Sequence, residues 1–315
     1  MKYTRINIGL LVLFSGLLCT SCSEDTAVEW SYGESVPLGI EELRLEGTSD
    51  TRAGGTPVTT NGTTIAVFLT NTGGYTPMYN KTYTYSGGSW SSTDDIYVDK
   101  RSGKALGVYD PNGLVSFGTN STATTTYLEA QAYDENKLWY YDNTNGTGVN
   151  SSTPAVFSMK CAYARLMLSI KRHATNYVSG NCNITDVNIK HSSGNNFFTS
   201  STLDISTGTY GGSATADGWT YTLNTGDITA GATNTSYDVL VPPQPVSDGL
   251  TITLTIDNVN RAVTVPAAKF SNNLSAGAQY TIELVITDTT ITMSGSVKIN
   301  DFATGKSTSS EGEVG

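Results

Sequence analysis

Cys22 has the residue type and the position for attachment of a lipid. It follows an apolar run at residues 8–18, which is preceded by Lys2 and Arg5. The run is too short to span a bilayer and has the form of a secretory signal. Small residues stand directly before the cysteine. The pattern predicts a lipoprotein signal peptide over residues 1–21 and a membrane contact through lipid on Cys22, the alternative being an ordinary signal peptide.

Arg52 has the setting of a proteolytic site. It is a lone basic residue within Gly-Thr-Ser-Asp-Thr-Arg-Ala-Gly-Gly, residues 47–55. Small and polar residues of this kind form accessible loops, where proteases cut most readily. We therefore predict cleavage between Arg52 and Ala53. An uncut, exposed arginine in a surface loop is the alternative.

An apolar strand is predicted between these two residues. Apolar residues alternate with other residues, as in a half-buried strand. At Glu41-Glu42 the apolar positions shift from even to odd numbers, which indicates a bulge. Residues 22–52 then form a lipidated propeptide with a removable strand, unless that strand is a permanent part of the fold. The five apolar residues of this strand are Val36, Leu38, Ile40, Leu43 and Leu45.

The sequence gives little support for catalysis. The two histidines are His173, in a basic turn, and His191, at a strand end beside Ser192-Ser193. Neither has a carboxylate or a cysteine nearby in the sequence at a spacing typical of a catalytic group. The common hydrolase, metalloprotease and nucleotide-binding motifs are absent. We expect no enzymatic activity, no cofactor and no metal site.

Besides Cys22, two cysteines lie after the signal peptide, Cys161 and Cys182. An exported protein meets an oxidising environment, which permits a disulfide between them. The sequence does not show whether their Cα atoms come within bonding range. The two alternatives, a disulfide and two buried free thiols, both remain open.

The composition indicates an all-β protein. The chain of 315 residues has 18 Tyr, 32 Gly and only 15% charged residues, and long segments with helical periodicity are absent. Short strands joined by polar, glycine-rich turns are the expected result. The net charge of −10, without clusters of Lys or Arg, argues against nucleic acid as a partner.

Each half of the chain offers about seven short strands, the number that a β-sandwich needs. The most loop-like stretch in the middle is residues 142–154, so we place a domain boundary just after it. The predicted domains are residues 53–157 and 158–315. Within the first, the patterns predict a central strand at residues 63–70 and a hairpin over residues 81–90 with aromatic cross-strand residues.

A further alternating strand is predicted near the C-terminus, at about residues 290–302. Its apolar set resembles that of the N-terminal strand, and Gly295 keeps the alternation in phase. Pairing within its own domain is the alternative to pairing with another molecule. A polar tail follows from residue 303. The apolar residues of this strand are Ile291, Met293, Val297, Ile299 and Phe302.

Taken together, these features resemble the fimbrillin family of Bacteroidetes, the subunits of type V pili. The resemblance covers essentially the whole chain and depends on the order and spacing of individually weak motifs. Phe302 stands where the family often has Trp. The motifs are the signal to Cys22, Thr51-Arg52-Ala53, Thr64-Ile65-Ala66-Val67-Phe68, residues 83–90, Ala164-Arg165-Leu166, Gly277-Ala278-Gln279-Tyr280 and residues 297–302.

The resemblance implies two tandem transthyretin-like Greek-key β-sandwich domains and a route of assembly. A lipidated precursor reaches the outer membrane, and an arginine-specific protease cuts after Arg52. The first strand then leaves, and a strand from a neighbouring subunit fills the groove. The implied partners are other copies of this chain, related pilin subunits and the protease. The alternative function is a surface lipoprotein that binds glycans for polysaccharide uptake.

Overall fold

The computed structural model describes residues 32–46, 55–117, 124–142, 144, 146–177, 180–223, 225–231 and 235–302. The described part of the chain is built from β-strands and three short 3-10 turns, Thr72–Gly74, Glu135–Lys137 and Ala267–Phe270. The all-β prediction is therefore confirmed. Within these residues no helix is long and apolar enough to cross a bilayer.

The first half contributes thirteen described strands. They alternate buried and exposed residues, as expected for strands with one face on a core. Their bounds are β1 Val36–Pro37, β2 Ile40–Leu45, β3 Thr56–Pro57, β4 Thr64–Leu69, β5 Met78–Ser86, β6 Ser89–Ser91, β7 Tyr97–Val98, β8 Gly103–Tyr109, β9 Thr125–Glu129, β10 Gln131–Ala132, β11 Tyr140–Asp142, β12 Thr147–Val149 and β13 Ala155–Cys161.

The second half contributes thirteen more described strands. Their bounds are β14 Ala164–Arg172, β15 Ile184–His191, β16 Phe197–Asp204, β17 Thr209–Thr215, β18 Trp219–Thr222, β19 Thr235–Val241, β20 Gln244–Pro245, β21 Leu250–Ile256, β22 Val259–Val265, β23 Asn273–Leu274, β24 Ala278–Ile286, β25 Ile291–Met293 and β26 Lys298–Asp301.

The largest sheet has the order β3-β2-β13-β11-β8-β4-β5-β6, with β12 beside β8. The predicted central strand is β4, which lies between β8 and β5. The predicted hairpin is also confirmed, because β5 pairs with β6 and places the Tyr85 and Trp90 rings 5.2 Å apart between centroids.

The second half is dominated by two sheets. One has the order β10-β19-β14-β24-β25, with β26 also on β24, and the other has the order β18-β15-β21-β22. β19 ends at Val241, directly before Pro242-Pro243, because proline cannot donate a hydrogen bond to the ladder.

Two strands of the first half pair with strands of the second. β9 joins a three-stranded sheet of order β17-β16-β9, and β10 pairs with β19. Local alternation cannot choose between a near and a distant partner, since it specifies only which side chains face inward.

The described residues form two hydrophobic clusters. The first extends along the chain to Tyr163, with a few residues from later strands, and the second begins at Ala164. The change from one cluster to the other, between Tyr163 and Ala164, therefore lies six residues after the predicted boundary at 157/158. From Glu34 onward the chain forms one compact unit. The division into two tandem domains remains a prediction.

Candidate assembly site

β2 lies in the largest sheet, parallel to β13. Hydrogen bonds extend beyond both of its ends: Ala155 donates its N–H to the Gly39 carbonyl (2.8 Å), and Glu46 donates to the Met159 carbonyl (2.7 Å). Leu43 is 1% exposed. β2 thus covers the edge of β13 and fills part of the first hydrophobic cluster.

The predicted bulge in β2 is present. Ile40 pairs with Ala155, and Glu42 pairs with the next residue, Val156, so Glu41 has no partner of its own. The extra residue lets Ile40 and Leu43 both face the core although they are three positions apart. Leu38 is buried as well but lies before β2, and Val36 lies on β1, which pairs with β7, so the single predicted strand is divided into two.

The outer side of β2 faces β3, which is only two residues long, and among the described residues a further hydrogen bond joins the Val58 N–H to the Leu43 carbonyl (2.9 Å). Glu42 and Arg44, both on β2, form a partly exposed ion pair, a type of contact that adds little stability. β2 is therefore separated from the edge of the sheet by one short strand.

Two polar groups lie at the end of β2. Ser158 donates a hydrogen bond from Oγ to Oε1 of Glu46 (2.6 Å). Asp142, on β11, is buried and accepts hydrogen bonds from Thr144. Burial, together with a smaller effect of the nearby charge of Glu46, raises the pKa of Asp142 to about 6, although the hydrogen bonds from Thr144 oppose the shift. Part of the charge environment of Asp142 thus comes from the segment that carries β2.

Of the C-terminal apolar residues, Ile291 and Met293 lie on β25 and Ile299 on β26, whereas Val297 directly precedes β26 and Phe302 directly follows it. Both strands pair antiparallel with β24 of the same chain, so the single predicted strand is interrupted at residues 294–297. Ile291, Val297 and Phe302 are buried, and Met293 is half-buried. Ile299 is 43% exposed. The strand therefore pairs within its own chain here, with one large apolar side chain turned to solvent.

Phe302 is fixed by several contacts at the end of β26. Its N–H donates to the Gly277 carbonyl (2.8 Å), and its ring lies 6.3 Å from the ring of Tyr133. The guanidinium of the buried Arg165 lies 3.8 Å from the Tyr133 ring centroid and 5.8 Å from that of Phe302. Arg165 is also ion-paired with Asp238.

The remaining predicted processing residues, Cys22, Arg52 and Ala53, lie outside the described residues. The structure does place Cys161 and Cys182. Both are free, buried thiols in different hydrophobic clusters, so the disulfide alternative is corrected to two free cysteines. Burial raises the pKa of the Cys161 thiol to about 12, which suppresses the reactive thiolate.

One polar cluster was missed from the sequence. Asp248 lies 57 positions after His191, and its Oδ1 is 2.5 Å from the histidine Nδ1. Ser193 donates to the other carboxylate oxygen of Asp248 (2.8 Å) rather than to the histidine. A hydroxyl nucleophile would have to bond the histidine, so this order does not match a catalytic triad. Only the pairing of strands brings these residues together.

Within the described residues no group of three or more His, Cys, Asp or Glu could hold a metal ion.

A family model described as fimbrillin-like matches residues 51–301. This chain belongs to the fimbrillin-like family. The match includes the whole described chain from β3 to β26 and begins after β2, so the N-terminal strand lies outside it. A search of curated proteins found no match to this sequence.

Solved structures of Bacteroides proteins share the fold. A cell adhesion protein of B. uniformis is 16% identical, with a TM-score of 0.57, over 84% of this chain and 98% of that one. A cell adhesion protein of B. ovatus is 14% identical, with a TM-score of 0.56, over 87% and 100%. A fimbrial protein of B. vulgatus is 12% identical, with a TM-score of 0.52, over 84% and 99%. At these identities the likeness concerns the fold alone.

Proposed function

We propose that this protein is a structural pilin, a subunit of the fimbrial shaft that supports adhesion. It is exported as a lipoprotein anchored through Cys22, cleaved after Arg52 and polymerised by strand exchange at the cell surface. Membership of the fimbrillin-like family supports the coarser role of a cell-surface fimbrial subunit rather than an enzyme. The names of the fimbrial and cell adhesion proteins with this fold support the same role.

The observation that carries the finer proposal is the position of β2. The strand is bulged, lies next to a two-residue edge strand and ends only seven residues before Arg52. Cleavage after Arg52 would cut its covalent link to the rest of the sheet. Its departure would leave the edge of β13 unpaired, with the alternate buried residues Phe157 and Met159 below an open groove.

Such a groove is a template for strand addition. Unpaired backbone groups at a sheet edge bind an extended segment, and pockets for alternate side chains select its sequence. Burial of a large apolar side chain stabilises by about 1.5–3 kcal/mol, so Leu38, Ile40 and Leu43 together contribute about 5–9 kcal/mol before entropy costs. A donor strand with comparable side chains would recover a similar amount.

The proposed donor is the C-terminal strand of another copy or of a related pilin subunit. Its apolar set, from Ile291 to Phe302, offers side chains of similar size to those of β2. Donation from one subunit to the next is a head-to-tail contact, which produces an open filament. The lipid on Cys22 would hold the precursor at the outer membrane until cleavage releases it into an extracellular fimbrium.

The proposal is tested with Arg52→Lys. The purified precursor is treated with an arginine-specific protease and analysed by SDS gel without boiling. The wild type should lose residues up to 52 and form a ladder of SDS-resistant oligomers, whereas Arg52→Lys should stay intact and monomeric.

A second protease, one that cuts after both Lys and Arg, should restore the ladder in Arg52→Lys. This control separates loss of the cut from loss of folding. A trimmed wild type that stays monomeric would overturn the pilin proposal, and if that monomer bound a polysaccharide, the glycan-uptake alternative would take its place.

A further inference from the structure

An open cleft of about 510 Å³ lies in the second half of the chain, far along the sequence from the strands proposed for assembly. This volume falls in the range of about 300–1,000 Å³ that is typical of small-ligand pockets. Its walls come from the segment after β15, from β16 and β17, and from the turn after β20. The lining residues that matter for its chemistry are His191, Asn195, Asn196, Phe198, Gly212 and Ser247.

Asp248 joins two walls of the cleft. Its carboxylate accepts hydrogen bonds from the backbone N–H (2.9 Å) and the hydroxyl (2.8 Å) of Ser193 and contacts His191. These contacts lower the pKa of Asp248 although burial opposes the shift, so it is ionised at neutral pH. The loop that carries Asn195 and Asn196 is thereby fixed to the turn that carries Ser247.

His191 provides a buried polar group on the cleft wall. The residue is 5% exposed, and its Nδ1 is occupied by Asp248. None of the hydrogen bonds among the described residues uses its Nε2. Nε2 is the other polar atom of the ring, and an imidazole nitrogen accepts or donates a hydrogen bond according to its tautomer. A ligand in the cleft could satisfy this atom.

Phe198 supplies an apolar wall with a fixed orientation. Its ring packs directly on the backbone of Gly212: a Cβ at position 212 would lie 2.3–2.4 Å from three ring carbons. Gln244, itself buried, accepts the Phe198 N–H (2.7 Å) and donates to the Phe198 carbonyl (3.3 Å). The ring is therefore held between a glycine and a clamped backbone.

We propose that this cleft binds a neutral saccharide. Sugar hydroxyls both donate and accept hydrogen bonds, and the amides of Asn195 and Asn196, the hydroxyl of Ser247 and the ring of His191 offer both functions. The C–H face of a pyranose packs on an aromatic ring such as Phe198. Among the described residues no Lys or Arg lines the cleft, so these residues do not supply the charge that an anionic ligand would require.

The test is direct binding by the purified full-length chain. The probes are D-galactose, D-mannose and N-acetyl-D-glucosamine in NMR titrations, with immobilised neutral and sialylated oligosaccharides in parallel. We expect saturable binding of at least one neutral sugar and at least a tenfold loss of affinity in the Asn195→Ala/Asn196→Ala double variant. The matched control is Asn112→Ala, an exposed asparagine in a loop of the first half.

A second variant changes shape without removing a polar group. Gly212→Ala should displace the Phe198 ring and weaken binding at least fivefold, whereas Gly148→Ala, where an added Cβ meets no atom within 4 Å, should not. Binding of none of the neutral sugars, binding of the sialylated glycans alone, or affinity unchanged in both cleft variants would overturn the proposal.

The result is separable from the proposed assembly. The assay uses uncut, unpolymerised chain, so it does not depend on cleavage at Arg52 or on strand exchange. A chain that binds sugar and polymerises is a pilin with its own adhesive site. A chain that polymerises without binding retains the pilin proposal and loses this one.

Discussion

At the scale of single residues, burial decides what each chemical group can do. Cys161 and Cys182 have the chemistry of a disulfide, but each is enclosed in its own apolar cluster and remains a thiol. The ring of His191 is held by a contact with Asp248, which lies 57 positions later in the sequence. Asp142 is the opposite case, a carboxylate that stays buried without a cation and with an elevated pKa.

The raised pKa of Asp142 predicts a pH dependence of stability. In the unfolded chain an aspartate has a pKa of about 3.9. Because the folded pKa is about 6, the protonated form is favoured in the native state. The contribution of Asp142 to the free energy of unfolding is fully present below the unfolded pKa and is lost as the pH rises through about 6. A shift of this size corresponds to about 3 kcal/mol.

We expect Asp142→Asn to remove this contribution to the pH dependence. Urea unfolding at pH 4, 5, 6 and 7 should show a free energy that falls more steeply with pH in the wild type than in the variant. Asp217→Asn, at an exposed aspartate, is the control and should follow the wild type. Wild-type and Asp142→Asn curves that stay parallel across this range would contradict the assignment.

At the scale of elements, the bulge distinguishes β2 from a regular strand. Glu41 interrupts the ladder with β13, so the backbone of β2 pairs less completely than a straight strand of the same length would. A donor strand without an extra residue could pair along the whole edge. In the proposed strand exchange, the bulge would therefore favour replacement of β2 by a strand without an extra residue.

Deletion of Glu41 should strengthen the pairing of β2 with β13. The register places Ile40 and Glu42 opposite consecutive residues of β13, so the deletion restores one-to-one pairing. The precursor should unfold at a higher temperature, and after cleavage its SDS-resistant ladder should form several-fold more slowly.

Glu41→Ala is the matched control for that deletion. It removes the charge and keeps the extra residue, so its polymerisation rate should equal that of the wild type. If the deletion variant polymerised as fast as the wild type, the bulge would have no role in strand release.

At the scale of the whole molecule, the C-terminal strand has one environment in its own chain and a different one in the proposed filament. Within its own chain it pairs with β24, with Phe302 buried near Arg165 and Ile299 exposed. In the proposed filament the same strand would fill the groove of a neighbour, where its apolar residues alternate toward a core. Ile299 is the residue for which the two environments differ most.

Ile299→Asp therefore separates the two states. Because the side chain is 43% exposed in the monomer, the free energy of unfolding should change by no more than about 0.5 kcal/mol. Polymerisation of the cleaved protein should be lost, since a carboxylate in an apolar groove is strongly unfavourable. The measurements are urea unfolding and the SDS ladder.

Tyr127→Asp is the control for a charge introduced on an exposed strand residue. Tyr127 is 75% exposed on β9, outside both proposed strands, so this variant should polymerise normally. Normal ladders from Ile299→Asp would show that residue 299 does not enter the groove of a neighbour.

Local patterns in the sequence determined the class and many of the elements. Alternation placed β4 and the β5–β6 hairpin, and the break at Glu41-Glu42 correctly predicted a bulge. These features depend on near neighbours, which the sequence shows directly. The order of weak motifs was also sufficient to indicate the family.

Only the tertiary structure decided the contacts between distant residues. It paired β9 with β16, kept the two cysteines apart, placed Phe302 beside Arg165 and built a cleft around His191 and Asp248. The physical reason is that alternation specifies which face of a strand is buried but not which strand lies beside it. Strand order, and with it every site assembled across strands, depends on the packing of the whole sheet.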